Sequence, residues 1–117
     1  MSTYELRVCK ILDLMLKQDK IFKWEYTKDK IKYIGLDNKC HNYLIDFKVY
    51  RNETEFFYLE VKGVQRGNDA LKWAAVKKNG YELDVWFLHD IEKNEQNFGI
   101  SIQEVKDLID KNILKRG

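Results

Sequence analysis

The fold turns on two apolar stretches, YLIDFKVY (43–50) and FFYLEVKG (56–63), separated by the polar run RNETE (51–55). Both are rich in aromatic and aliphatic residues, the composition of strands packed on each side. The residues between them are of hairpin length. The pair therefore reads as adjacent antiparallel strands at the centre of a sheet, with helices covering it above and below. Three charged side chains interrupt this apolar text: Asp46, Glu60 and Lys62. Charge inside a buried strand is costly unless something compensates it.

Elements on either side fit that centre. Residues 3–18 read as a helix capped by Ser2, with Glu5 at the capping-box position and an apolar stripe of Val8, Cys9, Leu12, Met15 and Leu16. IFKWEY (21–26) alternates with period two, so Phe22, Trp24 and Tyr26 share one face of a half-exposed strand. A short strand over 31–34 and a turn at GLDNK follow. After Gly63, Asn68 or Asp69 can cap a helix that runs to Lys78 and stops at Asn79-Gly80. LDVWFL (83–88) reads as a strand returning parallel to the 56–62 strand through a right-handed crossover. HDIEKNEQN (89–97) reads as a loop. Ser101 and Glu104 open a closing helix over 102–114. The expectation is one α/β domain spanning 1–117, a small mixed β-sheet with an antiparallel hairpin core flanked by helices.

At 117 residues the chain has room for one modest core. Its 21 basic and 19 acidic residues leave a charge of only +2, so a nucleic-acid partner would have to be held by local clusters. The N-terminus shows no signal-peptide pattern and no apolar run is of membrane-spanning length, so a cytoplasmic protein with no membrane partner is expected. Cys9 and Cys40 read as reduced thiols, and with His41 and His89 they lack zinc-site spacing.

Glu60 and Lys62 are two apart in a strand and project from the same face, while Val61 points the other way. Asp46 lies on the neighbouring strand, where the hairpin register can set it beside Glu60. Two carboxylates at close range repel. A divalent cation removes that penalty, and hard oxygen ligands select Mg²⁺ or Mn²⁺. The carbonyl of Val61 offers a further ligand at the same edge. A cation there would polarise a phosphate and acidify a bound water, and Lys62 would orient that water or stabilise developing charge. The competing reading is a plain Asp46–Lys62 or Glu60–Lys62 ion pair across the sheet. Glu5 also has two readings: a capping box with Ser2, or an acid on the apolar side of the helix, aimed at the sheet.

Ile45-Asp46 and Glu60-Val61-Lys62, set on two strands behind a leading helix, resemble the PD-(D/E)xK nuclease superfamily, with isoleucine where the motif name has proline. The flanking text YLIDFKV and YLEVKG most resembles the bacteriophage endonuclease I group, which resolves Holliday junctions. The superfamily resemblance covers nearly the whole chain, and the closer one rests on that flanking text. It implies a restriction-endonuclease-like fold, Mg²⁺ with Mn²⁺ as substitute, and catalytic roles for Glu5, Asp46, Glu60 and Lys62. It further implies a homodimer cutting branched DNA, located in the host cytoplasm if phage-encoded.

Gln65, Arg66, Lys72, Lys77 and Lys78, with His41, are candidates for contact with a DNA backbone. The alternative for each is a solvated surface. Trp24 and Trp86 sit at strand periodicity and read as core or interface. Other functions remain in view: a mobile-element or nicking nuclease of the same superfamily, a non-catalytic DNA-binding or assembly subunit, and a structural homodimer with an interfacial ion network.

Overall fold

The computed structural model describes residues 2–116, with side chains through 112. Along the chain come α1 (Thr3–Lys17), β1 (Lys23–Tyr26), β2 (Lys30–Ile34), β3 (Cys40–Leu44), β4 (Phe47–Tyr50), β5 (Phe56–Val61), α2 (Asp69–Lys78), β6 (Leu83–Trp86), α3 (Leu88–Asn97) and α4 (Ile102–Arg116). β1, β4, β5 and β6 form one mixed sheet in that order, and β2 and β3 pair separately. β4 and β5 are the antiparallel centre, and β6 returns parallel to β5 after α2. Among the described residues no helix is long and apolar enough to cross a membrane.

Two cores lie on opposite faces of the sheet. On one, Val8, Ile11 and Leu12 of α1 meet Phe47, Val49, Leu59 and Ile91. On the other, Val76 of α2 and Ile31, Tyr33 and Tyr43 of the β2–β3 ribbon cover Tyr58. Each fully buried aliphatic or aromatic side chain is worth about 1.5–3 kcal/mol. Ser2 caps α1 by accepting the Glu5 N–H at 3.1 Å. Leu16 falls outside the buried stripe at 39% exposure, because the helix centres its apolar face on Val8, Ile11 and Leu12.

Three expectations need correction. The stretch 43–50 is not one strand. It breaks at Ile45-Asp46, so β3 leaves for the ribbon and only β4 enters the central sheet. Thr27 fixes the break: its hydroxyl donates to the Ile45 carbonyl and its N–H to the Asp46 carbonyl at 3.3 Å. The strand expected over 83–88 ends at Trp86, since Phe87 caps the next helix. That helix, α3, occupies the segment expected to be a loop. Asp90 accepts the Phe87 N–H at 2.9 Å and Ile91 is fully buried. Glu95 lies on the buried side of α3, where Arg7 of α1 grips it through two bonds of 2.9 and 2.5 Å.

Candidate functional site

The break in the 43–50 stretch creates the site. Extending the β4–β5 register of Phe47 opposite Leu59 sets Asp46 opposite Glu60. With the ladder interrupted, the Val61 N–H has no strand carbonyl to meet. The Asp46 carboxylate takes it at 2.8 Å. In an antiparallel ladder a residue's N–H and C=O face the same neighbour, so the Val61 carbonyl is turned to the same side.

Glu60 follows Tyr58 on the ribbon-covered face and is only 6% exposed. The Tyr43 hydroxyl donates to its carboxylate, and a side-chain hydrogen bond links it to Asp46. Two carboxyl groups can share such a bond only if one keeps a proton. Burial first, then the bond to Asp46 and its charge, push Glu60 up to about 8, against Tyr43 and Lys62, which favour the anion. Burial and Glu60 together raise the Tyr43 hydroxyl far above its ordinary range. Glu5 is half-buried, and its pKa is raised by burial and then by the charge of Asp46. The charge of Asp46 at the break thus acts both on Glu5 of α1 and on Glu60 of β5.

Lys62 shares the face of Glu60, but its ammonium sits 3.1 Å from Asp69 at the start of α2. Neither sheet ion pair weighed from the sequence forms at hydrogen-bond distance among the described residues. Asp69 is 2% exposed, accepts the Arg66 N–H at 2.8 Å and lies 3.8 Å from the Lys72 ammonium. Burial alone would raise its pKa, but the Arg66 N–H and Lys62 outweigh it and the net shift is downward. The sequence offered Asp69 only as a helix cap. Asn68, the other cap candidate, uses its side chain to hold Leu36 N–H at 3.0 Å, which ties the β2–β3 turn to α2. Lys72 also rides over the Tyr43 ring, 5.4 Å from its centroid.

Of the residues expected to meet DNA, Gln65 and Arg66 are exposed in the segment joining β5 to α2, next to Lys62. Lys77 and Lys78 are exposed at the far end of α2, about 12 Å along the helix from Asp69. His41 is bound to Asp37 at 2.9 Å and stacks on Tyr33. Gly63 is not a forced glycine, because an added Cβ would make only an ordinary 3.8 Å contact with Tyr4.

As a cation site the arrangement is a partial fit. Asp46 and Glu60 are adjacent and short of positive charge, which a divalent ion would offset. Among the described residues, however, no group of three or more His, Cys, Asp or Glu side chains is arranged to hold a metal. Comparison with protein-family models, curated proteins and solved structures finds no match to this chain.

Proposed function

We propose that this chain is a divalent-metal-dependent DNA endonuclease of the PD-(D/E)xK kind, with a restriction-endonuclease-like sheet and branched DNA as substrate. One observation carries the reading: Asp46 and Glu60 are held together with too little positive charge to ionise both, and Lys62 stands on the same face. Asp46, Glu60 and the Val61 carbonyl would hold Mg²⁺ or Mn²⁺, with Glu5 closing from α1. When bound, such an ion supplies Lewis-acid activation of a phosphate and of the attacking water.

The chain's own residues do the rest. Tyr43 orients Glu60, and the Val61 N–H orients Asp46. Lys62, anchored by Asp69, offers an ammonium to charge developing on phosphoryl oxygens. Gln65, Arg66 and Lys72 flank this point and suit a phosphate backbone. The choice of a branched substrate comes from the likeness of YLIDFKV and YLEVKG to the endonuclease I group.

The test is cleavage of a four-way junction, a flap and a linear duplex in Mg²⁺ or Mn²⁺. The expected result is junction cleavage that falls by about 10²–10³-fold in Asp46→Asn, the scale of losing one charge-stabilising group. No cleavage of any DNA would remove the enzyme reading, and equal cleavage of all three would remove the junction preference. A second reading, a DNA-binding subunit without catalysis, draws on the missing three-carboxylate cage and on the engagement of Lys62 by Asp69. It predicts DNA binding unchanged by Lys62→Ala and no metal response.

A further inference from the structure

β2 and β3 stand apart from the main sheet as an antiparallel two-stranded ribbon. One side faces inward, where Ile31, Tyr33 and Tyr43 are buried over Tyr58 and Val76. Side chains alternate along a strand, so the remaining positions form an outer face. The register pairs Lys30 with Leu44, Lys32 with Asn42 and Ile34 with Cys40 across that face. All six are exposed, Ile34 and Leu44 by 57% and 52%.

The outer face is basic. Neither strand contains an acidic residue, and Lys28 and Lys39 are exposed just beyond its two ends. The two nearby acids are already bound: Asp29 to Lys48 at 3.3 Å and to Tyr58 at 2.8 Å, and Asp37 to His41 at 2.9 Å. The ribbon is also held firmly. The Gly35 N–H donates to the Lys39 carbonyl at 3.0 Å, Asp37 accepts the Lys39 N–H at 3.0 Å, and Asn68 of α2 accepts the Leu36 N–H at 3.0 Å. A face fixed in advance loses little freedom when it binds.

We propose that the outer face of the β2–β3 ribbon docks in the major groove of duplex DNA. Each strand has five residues. Two such strands lie about 4.8 Å apart and run about 17 Å, and the groove, about 12 Å wide, admits a two-stranded ribbon. Lys32 and Asn42, paired at the centre, carry the hydrogen-bonding groups that meet base edges, and Ile34 and Leu44 offer apolar contact to thymine methyls. Lys30, with Lys28 and Lys39 beyond the ends, meets phosphates. A lipid surface would call for a continuous apolar face, whereas polar side chains hold the centre of this one. The face is separate from Gln65, Arg66 and Lys72 but adjoins the site, because Asn42 and Leu44 flank Tyr43, which turns inward to Glu60. DNA as the ligand rests on the nuclease reading; the choice of this face rests on the ribbon's register, exposure and charge.

Cys40 reports on this face, since it is exposed there while Cys9 is buried. The test is alkylation of the full chain by a maleimide in EDTA, alone, with a short linear duplex, or with phosphatidylserine-containing vesicles. Fluorescence anisotropy of the duplex across a salt series accompanies it. The duplex is expected to protect Cys40. Lys30→Ala combined with Lys39→Ala is expected to reduce the slope of log affinity against log salt by about two, one for each lost phosphate contact. Lys93→Ala combined with Lys106→Ala removes the same charge from exposed positions on α3 and α4 and is expected to leave the slope unchanged. With metal absent, cleavage plays no part, so a chain that binds and is protected but cuts no DNA upholds the inference. A wild type that binds no duplex would remove both this inference and the DNA reading. Binding that leaves Cys40 reactive, or a slope changed equally by the two variant pairs, would overturn this inference alone, as would protection by vesicles and not by duplex.

Discussion

Glu60 and Glu95 are buried to nearly the same depth, 6% and 5% exposed, yet they do different things. Glu95 closes a bidentate pair with Arg7 between α3 and α1, so its charge is met by an equal charge in matched geometry. Glu60 faces a hydroxyl and another carboxylate, while the nearby ammonium of Lys62 bonds to Asp69. The first arrangement is complete as it stands. The second retains a proton at neutral pH or calls for an external cation. Depth of burial does not separate these two carboxylates; the balance of charge around each does.

The largest effect belongs to the structural pair. Arg7→Ala strands the Glu95 charge and is expected to cost about 3–5 kcal/mol, as single removals from buried pairs do. Denaturant unfolding measures it. A loss below about 1 kcal/mol would mean that Glu95 is not held as a buried ion, and the contrast with Glu60 would fail.

Asp69→Asn comes next. An asparagine oxygen still accepts the Arg66 N–H, but Lys62 and Lys72 lose their counter-charge. The expected loss is about 1.5–3 kcal/mol, the worth of a hydrogen bond to a charged group, measured in the same way. A neutral outcome would show that Lys62 needs no anchor.

Glu60→Gln should act in the opposite direction, and the sign follows from the proton. The folded pKa of Glu60 is raised to about 8 from an ordinary 4.5. Between those values the folded state holds a proton that the unfolded state releases. Stability from this group is full below pH 4.5 and is lost as pH rises through 8, with a slope of at most about 1.4 kcal/mol per pH unit. Glutamine removes that dependence. The variant should match the wild type near pH 4.5 and exceed it by about 1–2 kcal/mol above pH 8, less than the ceiling because the site relaxes. Thermal unfolding across pH reads the difference, and a variant weaker than the wild type at pH 9 would contradict it.

Much of this was legible from residue order. The apolar text around Phe47–Tyr50 and Phe56–Val61 identified the central hairpin, and residues 64–86 the helix and parallel return strand. The two-residue spacing placed Glu60 and Lys62 on one face. Three things stayed hidden for physical reasons. The run YLIDFKVY has no Gly, Pro or Asn, a single Asp46 does not by itself mark a turn, and the break is held from outside by Thr27, eighteen positions before Ile45. α3 escaped notice because Glu95 occupies the position where the stripe begun by Leu88 and Ile91 calls for an apolar residue, and its partner Arg7 lies 88 positions away. Asp69 looked like an ordinary cap, since nothing local shows that Lys62 folds back onto it.

The sharpest test of the contrast is the thermal shift produced by Mn²⁺ at pH 8.5 in the wild type, Glu60→Gln and Glu95→Gln. If Asp46 and Glu60 form the cation site, Mn²⁺ raises the melting temperature of the wild type and of Glu95→Gln, by about 2.7 kcal/mol of stabilisation at a hundredfold excess over the dissociation constant. Glu60→Gln then responds little. A wild type indifferent to Mn²⁺, or an equal response from Glu60→Gln, would contradict the account.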